Sequence, residues 1–245
     1  MGQEVVGEDM TGTVSFDFSD QVVLVTGAAG ALGSSVVETF KVADATVVAV
    51  DITEAAEAKE TLELAEEDTY YQADLTDETA VEDMISKLVG DHGGVDALCN
   101  IAGTWRGGNP LMETDEATFD MLVDVNLRTM FLTSKFALPH LVESGGAIVS
   151  VASRSSLEGG PRDGPYRATK AGVRILTETI ATEHLGEVRA NAVMPSVLDT
   201  PMNREMMEPS DDWVDPDDVA RMIAFLCSDG ATVTSGASVP VYGEA

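Results

Sequence analysis

The stretch Val22-Val-Leu-Val-Thr-Gly-Ala-Ala-Gly-Ala-Leu-Gly33 decides the fold. Its first five residues are apolar or β-branched, as in a strand buried on both faces, and they run into small residues and then into helical spacing of apolar positions. In such a strand–turn–helix, small residues let the backbone approach a pyrophosphate, which the free N–H groups and positive dipole end of the helix attract. The same turn can join strand to helix with no ligand, so the residues that follow carry the decision. Thr46-Val-Val-Ala-Val-Asp51 is a second strand ending in a carboxylate, eighteen residues after Gly33. That is near the spacing at which an acid accepts hydrogen bonds from the adenosine ribose of a dinucleotide, which favours NAD over NADP.

Outward from this stretch, short β-branched runs alternate with amphipathic segments of helix length. Strands are predicted at 22–26, 46–50, 69–72, 95–100, 147–151, 189–193 and 239–242, and helices at 31–42, 55–65, 77–89, 116–140, 166–185 and 216–227. The last helix opens with Asp215, Pro216, Asp217 and Asp218, which supply an N-cap, a first-turn proline and acids at the positive dipole end. The alternation specifies the α/β class: a doubly wound Rossmann fold, with a seven-stranded parallel sheet carrying helices on both faces. The 245 residues suit one domain, set at residues 20–245, behind a loose acidic arm at residues 1–19 that contains Gly2, Gly7 and Gly12.

Forty-three acidic residues against 14 basic ones give a net charge of −29. A field of that sign repels phosphate backbones and anionic lipid, so neither nucleic acid nor a membrane surface is an expected partner. No apolar run approaches a bilayer span, and Met1 to Ser15 carries no apolar signal core. The acids are spread along the chain and lysines number only five, which suits a surface solvated in molar salt, where the Debye length falls to about 3 Å. The expected setting is the cytoplasm of a halophile that keeps salt inside. Cys99 and Cys227, far apart in the chain and without metal-type spacing, read as buried thiols in a reducing compartment. His92, His140 and His184 have no ligand spacing, so no metal is expected.

Tyr166-Arg-Ala-Thr-Lys170 places a phenol and an ammonium four residues apart on one face of a helix. A phenol of pKa near 10 is a poor acid or base at neutral pH, but an adjacent ammonium and an oxidised nicotinamide both favour phenolate and lower it. Ser153 stands thirteen residues earlier, past the end of strand 147–151, at the carboxyl edge where doubly wound sheets bind ligands. Its hydroxyl is placed to hold a carbonyl or carbinol oxygen beside the tyrosine.

From about Asp20 to Gly243 the chain resembles the short-chain dehydrogenase/reductase family. The matches, in the family's order, are Thr26 to Gly33, Asp51, Asp74-Leu75, Asn100-Ile-Ala-Gly103, Asn126 in Val-Asn-Leu, Ser153, Tyr166 with Lys170, and Pro195 to Thr200. The resemblance implies that Asn126, Ser153, Tyr166 and Lys170 form a catalytic tetrad. Tyr166 would exchange the proton, Lys170 would bind ribose and lower the tyrosine pKa, and Asn126 would hold a relay water. It implies cofactor contacts from Gly27, Gly30, Ala31, Leu32 and Gly33, from Asp51, from Asp74 and Leu75 flanking adenine, and from Asn100, Ala102 and Gly103. Pro195, Val197 and Thr200 would lie by the nicotinamide, with Thr200 orienting its carboxamide.

The resembled reaction is an NAD(H)-dependent interconversion of a secondary alcohol and a ketone, a 3-oxoacyl, sugar or other small carbonyl compound, by a homotetramer or homodimer built on the helices of Asn126 and Tyr166. Two alternatives stand beside it: a dihydropteridine-type reductase, from the likeness of Gly30 to Gly33 and Leu198 to Arg204 to that branch, and an NAD-binding sensor or scaffold without turnover. The middle glycine of the turn is at Gly30, with Ala31 in the family's usual glycine place, and Ser196 follows Pro195 where the family has glycine. Both departures touch the cofactor's pose. Trp105, Arg106, Arg154, Met202 and Met206 are the candidate substrate contacts, the methionines within an apolar lid at 201–213. Arg106, Arg154 and Arg162, three of nine arginines, suggest an anionic group on the substrate.

Overall fold

Parallel strands form hydrogen bonds on both edges and meet helices on both faces, so their side chains are buried throughout. The computed structural model, which describes residues 14–65 and 68–243, shows this in β1 (Val22–Thr26), where every residue is buried. Six further strands follow among the described residues: β2 (Thr46–Asp51), β3 (Thr69–Gln72), β4 (Ala97–Asn100), β5 (Ala147–Val151), β6 (Arg189–Pro195) and β7 (Ser238–Val241). They form one sheet in the order β3-β2-β1-β4-β5-β6-β7, all pairs parallel. The chain runs from β1 out to β3 and then returns across β1 to build the other half, so a crevice opens at the carboxyl ends of β1 and β4.

The helices are α1 (Ala31–Val42), α2 (Ala55–Thr61), α3 (Glu78–His92), α4 (Glu116–Val123), α5 (Thr129–Ser144), α6 (Gly164–Glu183), α7 (Pro201–Met206) and α8 (Pro216–Cys227). The twofold alternation of a strand sorts β1 between two cores. Val23 and Val25 join Val36 and Phe40 of α1 and Ile223 of α8 on one face. Leu24 joins Ile85 of α3, Leu141 of α5 and Ile180 of α6 on the other. The expected cap is in place, with Asp215 Oδ1 accepting from Asp217 N–H at 2.9 Å, and Asp77, expected as the first helical residue, instead caps α3 with Oδ1 accepting from Ala80 N–H at 3.0 Å.

Several expectations are corrected. The loose arm of residues 1–19 lies outside the described residues as far as Thr13, but its described end is anchored. Phe18 is buried, its ring packs edge-on against Phe40 at 4.8 Å, and its N–H donates to Ala43 O at 2.7 Å. The packed unit therefore begins before residue 20. The helix expected at 55–65 ends at Thr61, because Glu63 takes a left-handed φ of 48°. The helix expected at 116–140 is interrupted by a π turn at Asp124–Arg128 and then continues to Ser144, stopped by Gly145 at φ 68°. Such turns insert one extra residue and occur often at functional positions; this one buries Asn126. Cys99 and Cys227 are both buried and in hydrogen-bonding contact, and burial raises the Cys99 thiol well above its usual range. Among the described residues no helix is long and apolar enough to cross a membrane.

Candidate active site

In the crevice between β1 and β4 backbone meets backbone closely. Gly27 has φ 64°, and a Cβ there would stand 2.7 Å from Ala102 Cα and N. Thr26 ties the two strand ends together: its hydroxyl donates to Cys99 O (3.3 Å) and accepts from the N–H groups of Ile101 (3.1 Å) and Ala102 (3.3 Å). A Cβ at Gly33 would lie 2.0 Å from Gly27 O, so the first turn of α1 sits directly on the loop before it. Gly30 is the N-cap of α1, at φ −76° with no side-chain cap, and a Cβ there would meet only Gly27 O at 3.4 Å. The glycine at 30 is therefore not demanded by steric contact, and Ala31 simply opens the helix. The departure from the family's glycine pattern leaves an ordinary strand–turn–helix path. No acid stands in the first turn of α1, so the positive end of that helix faces the crevice without a competing carboxylate.

A cleft of about 1200 Å³ runs from this turn across the sheet edge. Asp51, Asp74 and Leu75 line one end. Asp51 also braces the turn, with Oδ2 accepting from Ala29 N–H at 3.0 Å and Oδ1 from the N–H and hydroxyl of Thr53 at 3.1 and 3.0 Å. Asp74 Oδ1 accepts from Thr76 N–H and Oγ1. Thr53, which shares this wall, went unseen in the sequence; an Asp two residues before a Thr is a local turn signal that could have found it.

Ser153, Tyr166 and Lys170 line the middle of the cleft. β5 delivers Ser153 just beyond its carboxyl end, and α6 carries the tyrosine and the lysine one turn apart. The Ser153 hydroxyl is in hydrogen-bonding contact with the Tyr166 phenol and accepts from Ser155 N–H at 3.1 Å. Lys170 Nζ is buried and donates to Val151 O at 2.8 Å; burial pulls its pKa down to about 8. The surroundings of Tyr166 within the chain itself shift its phenol upward. Burial pushes its phenol up, the Ser153 hydrogen bond opposes this, and the Asp163 carboxylate pushes it up further. Asp163, paired with Arg167 at 2.6 Å, went unnoticed in the sequence because its effect on the phenol acts through space.

Asn126 and Asn100 do not line the cleft. Asn126 Oδ1 accepts from Thr104 N–H at 2.7 Å and its amide donates to Thr169 Oγ1 at 3.3 Å, so the π turn grips both the loop after β4 and the start of α6. A Cβ at Gly103 would stand 2.9 Å from both Asn126 Oδ1 and Lys170 Nζ. The asparagine thus touches the same point as the lysine, from behind the cleft wall. Asn100 is buried, donating to Ser134 Oγ (3.1 Å) and Ser150 Oγ (3.3 Å) and accepting from Thr133 Oγ1 (2.6 Å). It holds α5 to the sheet beneath the site.

Ala102 and Gly103 line the cleft after β4, Pro195, Val197 and Thr200 line it from β6 onward, and Thr200 Oγ1 caps α7 by accepting from Asn203 N–H at 3.2 Å. Ser196 also lines it, and its buried Oγ has no partner among the described residues. Trp105, Arg154, Met202 and Met206 line the same cavity. Arg154 lies over the Tyr242 ring at 4.8 Å. Arg106 does not reach the cleft: with Arg162 it lines a separate pocket of about 90 Å³, because the chain turns away after Trp105.

The residues fit a nicotinamide dinucleotide. Gly27, Gly30 and Gly33, the uncapped start of α1, Asp51 and the unpartnered Ser196 hydroxyl all border one elongated cleft. Comparisons with known proteins agree. The family described as Enoyl-(Acyl carrier protein) reductase matches residues 27–243. Meso-2,3-butanediol dehydrogenase of Serratia marcescens is 33% identical over 240 residues, covering 93% of this chain and 95% of that protein. Cis-4-hydroxycyclohexanecarboxylate dehydrogenase of Sinomonas cyclohexanicum is 32% identical over 92% of this chain and 96% of its own length. The crystal structure of a Burkholderia xenovorans protein described as a short-chain dehydrogenase/reductase superposes with a TM-score of 0.84 at 32% identity, covering 92% of this chain and 96% of that one. The chain is thus an oxidoreductase that uses a nicotinamide nucleotide on small molecules, and it belongs to the short-chain dehydrogenase/reductase family.

Proposed function

We propose that the protein moves a hydride between NAD(H) and a secondary alcohol/ketone pair, with Tyr166 as the acid and base. The observation that carries this reading is the contact of the Tyr166 phenol with the Ser153 hydroxyl on the wall of the dinucleotide cleft, one helical turn from the buried Lys170 ammonium. A bound nicotinamide supplies or accepts the hydride. Ser153 donates its hydrogen bond to the substrate oxygen, and Tyr166 gives that oxygen a proton in reduction or takes one from the carbinol in oxidation. Burial keeps the phenol protonated at neutral pH, so a proton is present to give in the reducing direction. Lys170 spends one donor on Val151 O and keeps two for the ribose. Asn126 positions the loop at Thr104, and its contact point with Lys170 suits a relay water.

The choice of NAD rests on Asp51. Its carboxylate stands at the cleft end opposite the nicotinamide, where it accepts ribose hydroxyls and repels a 2′-phosphate. The two curated relatives are named for secondary alcohols, one of them carrying a carboxylate, and the same substrate class is proposed here. Half-exposed Phe131 of α5 and Ile175 of α6 mark the face proposed for a homodimer or homotetramer. The charge of −29 supports work in the salt-rich cytoplasm of a halophile. The test is NADH consumption in about 2 M KCl against ketones, 3-oxoacyl thioesters, keto sugars and quinonoid dihydropteridine. One class is turned over by the wild type and not by Tyr166→Phe; equal rates in the two proteins overturn the assignment.

A further inference from the structure

The pocket that Arg106 and Arg162 line lies outside the cleft, and its charge is anomalous. Six of the nine arginines are satisfied in plain ways: Arg128, Arg167, Arg174, Arg204 and Arg221 pair with carboxylates, and Arg189 caps the carbonyls at the end of α8. Arg106 and Arg162 have no carboxylate partner among the described residues, although acids outnumber bases threefold in this chain. Their acidic neighbours are engaged elsewhere. Asp163 holds Arg167 at 2.6 Å, and Asp115 caps α4 by accepting from Thr118 N–H at 2.7 Å.

Arg162 is also held in place. Arg162 takes a left-handed φ of 71°, a conformation that a bulky residue adopts only when its surroundings impose it. Here Gly108 N–H donates to Arg162 O at 2.8 Å, and Arg162 Nη1 donates back to Gly108 O at 3.1 Å. This clamp joins the loop after β4 to the loop before α6, and it leaves most of the guanidinium donors unused. The pocket between them, about 90 Å³, has room for about three waters, the size of a carboxylate or phosphate head. Its position relates it to the reaction. Pro165, beside Tyr166, forms part of its wall, and so does Gly107, against which the ring of the cleft residue Trp105 packs.

We propose that Arg106 and Arg162 form an oxyanion subsite that takes a carboxylate on the substrate, with the reacting carbonyl at Tyr166 and the connecting apolar body lying over Trp105. The proposal rests on the carbonyl-reductase reading given above. Paired guanidiniums suit a carboxylate because each offers two parallel donors, and charge-assisted bonds of this kind survive salt that screens longer-range attraction.

The test compares 4-oxocyclohexanecarboxylate with its methyl ester, using NADH and wild type, Arg106→Ala, Arg106→Lys and Arg162→Ala, with far-ultraviolet circular dichroism to confirm folding. The acid-to-ester ratio of kcat/KM falls about 10-fold in each alanine variant, through KM, with partial recovery in Arg106→Lys. An unchanged ratio in folded variants overturns the subsite. If the wild type reduces neither ketone, the reaction reading has failed, and calorimetric titration of the NAD-loaded protein with cyclohexanecarboxylate and with inorganic phosphate decides the subsite alone. Carboxylate binding that Arg106→Ala abolishes supports it. No carboxylate binding, or phosphate binding with no effect of the arginines on the carboxylate, overturns it.

Discussion

Lys170 offers the sharpest physical test of the site, because its burial ties a proposed catalytic group to the stability of the fold. Taking the ammonium out of water lowers its pKa from 10.5 to about 8. Below about pH 8 both folded and unfolded chains hold the proton, and the folded one bears the cost of desolvating it. Between about 8 and 10.5 only the unfolded chain stays protonated, so stability rises with pH through that window. The full shift corresponds to about 3 kcal/mol, of which about 2 kcal/mol is gained between pH 7 and 9.5. Lys170→Met keeps the volume and removes the charge. It also loses the bond to Val151 O, but that cost does not change with pH. Urea unfolding of both proteins in about 2 M KCl, followed by circular dichroism, gives the comparison. The difference in unfolding free energy between variant and wild type should shrink by about 2 kcal/mol from pH 7 to 9.5, in favour of the wild type. Parallel curves over that range would mean that Lys170 keeps its ordinary pKa and that the buried ammonium is solvated in a way the structure does not contain.

Three further outcomes are expected. Gly33→Ala drives a methyl group to 2.0 Å from Gly27 O, a backbone atom that cannot swing away, so it should cost more than about 2 kcal/mol and weaken NADH binding, whereas Gly30→Ala, with 3.4 Å of room, should cost under about 1 kcal/mol; equal effects in unfolding and NADH titration would contradict the steric account. Asp51→Ala should erase the preference for NADH over NADPH at high salt and, by freeing Ala29 N–H, cost about 1 to 3 kcal/mol of stability; a wild type that prefers NADPH sinks the assignment. With a charge of −29, the fold should lose structure below a few tenths molar KCl, roughly where the Debye length grows past 5 Å, and equal melting temperatures at about 0.02 and 2 M KCl count against the halophilic reading.

Much of this molecule was legible one residue at a time. The runs of β1 and β2, the caps at Asp77 and Asp215, and the four-residue interval from Tyr166 to Lys170 are local patterns, set by the twofold period of a strand, the 3.6-residue period of a helix and the hydrogen-bonding needs of helix ends. Fold class and the Tyr166–Lys170 pair proposed as catalytic follow from such patterns, because each needs only neighbours in the chain. Other features depend on distances between residues that the chain holds far apart. Gly27 meets Ala102 only because β4 pairs with β1, Phe18 is buried only because Phe40 lies beside it, and Asn126 turns inward only because the helix takes up an extra residue. Tertiary structure also supplies the surroundings that raise the Tyr166 phenol, since burial and Asp163 outweigh the Ser153 hydrogen bond. It moved Arg106 out of the cleft and onto the same small pocket as Arg162. Spacing in a sequence determines which side chains share a face; only packing decides what dielectric surrounds them and which distant charges they meet, and those two quantities govern the chemistry of the site.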